Sequence, residues 1–250
     1  MAVIWQKQVG EKRYEVRKAG QSTRLYTDGV FHSQYNPDRP ITRGIWDLLM
    51  LPAFFYPQGT IKRVLVLGAG GGAVIHLLHR YVKPDHITAI DMDATHISIA
   101  KRFFGIKKHM ATLIEADAVE WLKDYKGLAF DMIIDDLFAE NEGEGVRAVP
   151  LTRSWFVLLN RNLNKNGLLV ANLFSAKELR DSAYCSDQGV AAWFCSAFTL
   201  HLPLFHNIVA TFLKKESNAS FIRREVRAVT GLNATVGQNQ LQFSLRNITL

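Results

Sequence analysis

Lys62-Arg63-Val64-Leu65-Val66-Leu67-Gly68-Ala69-Gly70-Gly71-Gly72-Ala73-Val74-Ile75-His76-Leu77-Leu78 is the stretch on which the fold turns. Val64 to Leu67 form a continuous apolar run with no polar alternation, the pattern of a strand buried on both faces. The glycines that follow let the backbone turn tightly and approach a ligand, and a helix beyond them would offer unpaired N–H groups. Through Ala73 the run also satisfies the dinucleotide G-x-G-x-x-A arrangement, so it does not by itself name a ligand.

Outward from this point the chain alternates. Strands are expected over 62–68, 86–91, 111–117, 130–135 and 167–174, separated by the helical runs GAVIHLLHRYV, THISIAKRFFG, AVEWLKDY and LTRSWFVLLNRNL. Apolar strands between amphipathic helices mean a parallel sheet covered on both faces. The rhythm changes after a helix expected around 190–198. TLHLPLF and NIVATFLKK are β-rich and separated by little more than His206-Asn207, which suits an antiparallel pair. The predicted class is therefore α/β, a Rossmann-like methyltransferase sheet, mostly parallel with an antiparallel C-terminal hairpin.

A small β-rich segment precedes it. Over 1–35, RYEVRKAG and TRLYTDGVF read as strands with turns at Ala19-Gly20 and Asp28-Gly29. Two prolines break the linker at 36–40, and a helix fits from Ile41 to Pro52 with Ile45, Leu48 and Leu49 on one face. The expected division is residues 1–40 and 41–250. FIRREVRAV predicts a late helix, and the remainder of the tail has no assignable pattern.

The chain has 250 residues, 48% hydrophobic and 21% charged, an ordinary globular composition. No run approaches the roughly 18 apolar residues of a membrane span. The start turns polar after Trp5, unlike a signal peptide, and Cys185 and Cys195 are too few for a disulfide framework, so a cytoplasmic protein is expected. The net charge of +7 invites nucleic acid, but no basic motif interleaved with aromatics accompanies it, and solvated faces explain it better.

Chemistry gathers at the strand ends. Asp91 closes the second strand about 20 residues past the glycines, where a carboxylate can accept ribose hydroxyls. Asp93 is the better helix cap. Asp117 ends the third strand, placed to meet an adenine amino group or to cap AVEWLKDY. Asp135-Asp136 end the fourth, at the edge where ligands of open α/β sheets lie. Adjacent carboxylates repel, and burial raises the pKa of at least one, which suits a proton acceptor. Elsewhere the reading is structural. His76 and His79 lack partners for a metal, and no metal site is expected. His201 and His206 flank a hairpin. Cys195 and Trp155-Phe156 read as core.

The run VLVLGAGGGAVIHLL…HITAIDMDATHISIAKRFF…IEADAVEWL…FDMIIDDLF…PLTRSWFVLLNRNLNKNGLLVAN resembles the spermidine synthase (polyamine aminopropyltransferase) family over about residues 24 to 213. Leu25-Tyr26-Thr27-Asp28-Gly29-Val30 looks like that family's hairpin signature. The resemblance implies that Gly68, Ala69, Gly70 and Gly72 contact the methionine-derived part of the cofactor and that Asp91 holds the ribose. It places Asp117 at the adenine, with Met92 and Ala118 beside these acids, and it makes His32 a polar cofactor contact. Asp136 matches the family's catalytic acid.

The departures are equally plain. Leu137-Phe138-Ala139-Glu140 replaces two small hydroxyl residues and Asp-Pro, so the second acid that helps to hold a diamine is missing at Ala139. Ile41-Thr42-Arg43-Gly44-Ile45 lacks the family's Tyr-His/Gln-Glu element. Methyl transfer from S-adenosylmethionine to a small acceptor is therefore the leading expectation. The alternative is aminopropyl transfer from decarboxylated S-adenosylmethionine to an amine, favoured by Glu140, Glu142 and Glu144 in the loop after Asp136. Non-catalytic adenosyl-ligand binding and NAD-dependent oxidoreduction are further readings. Efficient spermidine synthesis is not expected. Its partners would be a small-molecule acceptor and, through the β-rich segment, a second copy in a homodimer.

Overall fold

The structure is a computed structural model and describes residues 1–141, 144–203, 205–232, 241 and 243–249. Four antiparallel strands, β1 (Ala2–Val9), β2 (Lys12–Ala19), β3 (Ser22–Thr27) and β4 (Val30–Tyr35), pair in chain order. After the linker, α1 (Ile45–Met50) passes into a 3₁₀ turn, Leu51–Phe55. The α-helix thus stops short of the expected Pro52, whose missing N–H is tolerated at the start of the next turn.

The alternating middle follows as β5 (Arg63–Leu67), α2 (Ala73–Leu77), β6 (His86–Asp91), α3 (Ala94–Arg102), β7 (Thr112–Glu115), α4 (Ala118–Asp124) and β8 (Phe130–Asp135). The loop expected after Asp136 is a small antiparallel hairpin, β9 (Phe138–Asn141) with β10 (Glu144–Arg147). Next come α5 (Arg153–Asn162), β11 (Leu163–Leu173), and three short helices, α6 (Ala176–Arg180), α7 (Ala183–Ser186) and α8 (Gln188–Ala191). The chain closes with β12 (Ser196–His201), β13 (Ile208–Leu213), α9 (Ala219–Ala228) and β14 (Ser244–Asn247).

The helix expected around 190–198 is a correction. α8 ends at Ala191 and β12 begins at Ser196, because the apolar run there feeds a buried strand rather than a helix face. Cys195, expected in the core, is exposed.

Eight strands form the main sheet in the order β14-β12-β13-β11-β8-β5-β6-β7. β11, β8, β5, β6 and β7 run parallel, and β13, β12 and β14 add antiparallel pairs. In β5, Val64 and Val66 enter the core beneath α1, α2 and α9, while Leu65 and Leu67 enter the core beneath α4 and α5. That two-sided burial is why the strand reads as an unbroken apolar run. The chain leaves β5 toward β6 and β7, then returns through β8 on the other side. The crevice at such a reversal is where ligands of open sheets bind.

The N-terminal sheet closes over this edge. Tyr14, Val16 and Leu25 pack with Ile99 and Phe104, and the Ala73 N–H at the start of α2 donates to Ser33 Oγ at 3.2 Å. Among the described residues, no helix is long and apolar enough to cross a membrane.

Candidate active site

The ends of β5 and β8 are held together where the glycine turn begins. Asp136 N–H donates to the Leu67 carbonyl at 2.8 Å, and Gly68 N–H donates to Ile90 at 2.9 Å. Gly68 sits at φ +89°, and a Cβ there would stand 2.3 Å from the Asp136 carbonyl oxygen. Any side chain would push the two strand ends apart. Gly72 plays a different part from the one expected. It starts α2, a Cβ on it would meet Ile106 at 2.8 Å, and it does not line the cleft as Gly68, Ala69 and Gly70 do.

The cleft has a volume of about 840 Å³ and runs along the carboxyl ends of the parallel strands beneath β3 and β4. Asp91, at the end of β6, is tied down. Its Oδ2 accepts the Gly70 N–H at 2.8 Å and its Oδ1 the Asp93 N–H at 2.9 Å, with His96 Nδ1 3.7 Å away. Asp93 caps α3 through Thr95 and His96 N–H groups and accepts the Tyr14 hydroxyl at 2.6 Å. Asp117 caps α4 through Oδ1, with both bonds at 2.9 Å, and also lines the cleft. Of its two sequence readings the cap is the one observed, and the same residue lines the cleft. Met92 lies 75% exposed on the lip, and Ala118 is buried beside Asp117.

His32 faces the same space from β4, its ring centroid 5.1 Å from that of His96. Burial, and then the neighbouring His96, pull its pKa down to about 4, so it is neutral at ordinary pH.

The two adjacent acids separate. Asp135 is fully buried and turned into the fold. Its Oδ2 accepts from the Arg147 guanidinium at 2.6 Å and from Trp155 Nε1 at 2.8 Å, and it does not line the cleft. As a candidate catalytic group it is corrected to a structural one, because its charge is spent on pinning β10 and α5 to the sheet. Asp136 lines the cleft and accepts from Asn172 Nδ2 at 2.8 Å. Burial pushes its carboxyl up to about 7, with Asp135 adding to the rise and Asn172 and Arg147 opposing it. A carboxylate with that pKa can take a proton near neutral pH.

Sequence reasoning missed Asn172 and Asn207. Asn172 is buried at the end of β11, and its Oδ1 accepts from Asn207 Nδ2 at 3.3 Å, a chain of side chains that fixes the Asp136 carboxylate. The signal was present, since Asn172 is the lone polar residue in GLLVANLF. The cleft also has an apolar wall, in which Leu137 and Phe138, evident as bulky replacements in the sequence, are joined by Phe174, Phe205, Phe31 and Trp46, which were not foreseen. Of the acidic residues in the hairpin, Glu142 lies outside the described residues, as do the side chains of Glu140 and Glu144.

A family model described as the spermine/spermidine synthase domain matches residues 47–225. A polyamine aminopropyltransferase of Vibrio vulnificus is 26% identical over 171 residues, which is 67% of this chain and 56% of that protein. Polyamine aminopropyltransferase 2 of Ralstonia nicotianae is 29% identical over 150 residues, 56% of this chain and 28% of that protein. The chain thus spans about half, or less, of the length of these relatives. A solved probable spermidine synthase from Corynebacterium glutamicum shares the fold, with a TM-score of 0.71 at 19% identity, over 91% of this chain and 88% of that one. The domain match runs from α1 into α9 and takes in the glycine turn, Asp91, Asp117 and Asp136, so the chain belongs to the spermine/spermidine synthase family.

Proposed function

We propose that the protein transfers an aminopropyl group from decarboxylated S-adenosylmethionine to an amine. The relatives carry the aminopropyltransferase name, and this reverses the order expected from sequence, in which methyl transfer came first. The observation that carries the proposal is Asp136: a carboxyl at the sheet's switch point, pushed up to about 7 and oriented by Asn172.

The residues fit an adenosyl cosubstrate. Asp91 is immobilised by two backbone donors and retains lone pairs for ribose hydroxyls, and Asp117 uses only Oδ1 in its cap. Gly68, Ala69 and Gly70 offer backbone without bulk, while Met92, Ala118 and His32 supply the flanking contacts. When bound, the cosubstrate supplies a sulfonium whose sulfur leaves as a neutral thioether.

Asp136 does the protein's part of the chemistry. A protonated amine must give up a proton to expose its lone pair, and Asp136 takes it. The amine nitrogen then forms a C–N bond as the C–S bond breaks, its electron pair going to sulfur and the positive charge to the new ammonium. Leu137 and Phe138 line the cleft next to Asp136 and present apolar surface there. The test is methylthioadenosine release from decarboxylated S-adenosylmethionine across a panel of amines. Release is expected, and Asp136→Asn should lower it by about 10²–10⁴-fold with cosubstrate affinity little changed. Release of S-adenosylhomocysteine from S-adenosylmethionine instead would restore methyl transfer.

A further inference from the structure

The acceptor half of the cleft is built unlike the cosubstrate half. Strand order separates them. Asp91 and Asp117 lie at the ends of β6 and β7 on one side of the switch point, while Asp136, Asn172 and Phe174 lie at the ends of β8 and β11 on the other. Among the described lining residues, Asp91, Asp93, Asp117 and Asp136 are the carboxylates, so Asp136 is the single one on the acceptor side. Around it the wall is aromatic. Phe174 and Phe205 are 41% and 46% exposed, beside the Asp136–Asn172–Asn207 chain. Phe31 is 42% exposed, meets Trp46 edge-on at 5.2 Å, and lies beneath the Arg24 guanidinium at 5.7 Å. Exposed phenylalanines gathered in a cleft mark an apolar ligand surface.

We infer that the acceptor is a primary amine with one positive charge and an apolar or aromatic body, not a diamine. This rests on the transfer reading above. Asp136 receives the reacting nitrogen, and the body of the molecule replaces water against Phe174, Phe205 and Phe31. A second ammonium would lose its hydration against these rings with no second carboxylate among the described residues of that side to receive it, and Arg24 would repel it. An apolar end gains from the same surface.

Putrescine and n-pentylamine have the same number of heavy atoms and differ at the far end, an ammonium against a methyl group. Each would be titrated by calorimetry into the full chain saturated with methylthioadenosine, and each assayed as acceptor with decarboxylated S-adenosylmethionine. The expected result is n-pentylamine binding about tenfold or more tighter than putrescine, with the same order in kcat/KM. Phe174→Asp should narrow or invert that ratio by supplying a second carboxylate. Equal or tighter putrescine binding overturns the inference, as does binding of neither amine. A putrescine preference that disappears in Glu140→Gln/Glu142→Gln would assign the second carboxylate to the hairpin and overturn it as well. Tight n-pentylamine binding without methylthioadenosine release would instead sink the transfer reading and leave the acceptor class standing.

Discussion

At the scale of single residues, Asp136 and Asp135 show how one strand end divides its labour. The dipeptide was legible as a pair of acids at the ligand edge, but not which of them faces the ligand. That depends on Arg147 and Trp155, 12 and 20 residues further along, closing on Asp135. The consequence for Asp136 can be measured. Its folded-state pKa of about 7 lies above its ordinary 3.8, so between those values the folded form holds a proton that the unfolded chain has released. Stability contributed by this group is present below about 4 and is lost as pH rises toward 7. Asp136→Asn should therefore raise Tm at pH 8 and leave it nearly unchanged at pH 4, and the wild-type rate should fall as pH drops below about 7. A variant no more stable at pH 8 than the wild type would remove the raised pKa from the account. Asp91 differs, because its carboxylate lines the cleft and also holds two backbone N–H groups. Asp91→Ala should weaken adenosyl-ligand binding by about tenfold or more, and it should also cost about 1–3 kcal/mol by stranding the Gly70 and Asp93 N–H groups. Calorimetry and denaturant unfolding of the same variant check the two effects separately.

At the scale of elements, the parallel strands were legible because burial on both faces leaves unbroken apolar runs of the right length. The β9–β10 hairpin was not. Phe138 to Arg147 carries glutamates and glycines that read as a solvated loop, and its pairing is decided by what anchors its base. Arg147 supplies that anchor through Asp135 Oδ2 at 2.6 Å and the carbonyls of Asn172 and Val149 at 2.6 and 2.8 Å. The pair is almost wholly buried, so removing the arginine leaves a charge without a partner. Arg147→Ala should destabilise by about 3–5 kcal/mol, a Tm loss of roughly 6–20 °C for a chain of this length. Arg147 also holds the Asp136 pKa down, so the pH limb of the rate should move upward in any active remnant. A variant with wild-type Tm would show that the hairpin is not fastened here. The apolar run near residue 195 misled in the other direction, since its periodicity does not distinguish a buried strand from a buried helix.

At the scale of the whole molecule, the N-terminal sheet and the main sheet build one site. His32 and Phe31 come from β4, and Ser33 on the same strand receives the first N–H of α2. Deleting residues 1–35 would uncover Ile99 and Phe104 and remove one wall of the cleft. Such a variant should lose adenosyl-ligand binding altogether, and retention within about tenfold of the full chain's affinity would show the main sheet to be sufficient. The departure at Ala139 was legible in the sequence, whereas Phe31, Trp46, Phe174 and Phe205 come from distant segments and meet in one cleft only in the fold.

The most direct test of the central claim is calorimetric comparison of decarboxylated S-adenosylmethionine with S-adenosylmethionine on the full chain. The reacting end of either molecule would lie between the Gly68–Gly70 turn and Asp136, where the carboxylates of Asp136 and Asp91 face the cleft. A ligand carboxylate placed there would be repelled by both, and the doubly positive decarboxylated form would not. The account predicts that the decarboxylated form binds about tenfold or more tighter, a difference of about 1.4 kcal/mol or more. Equal affinities, or tighter binding of S-adenosylmethionine, would contradict it.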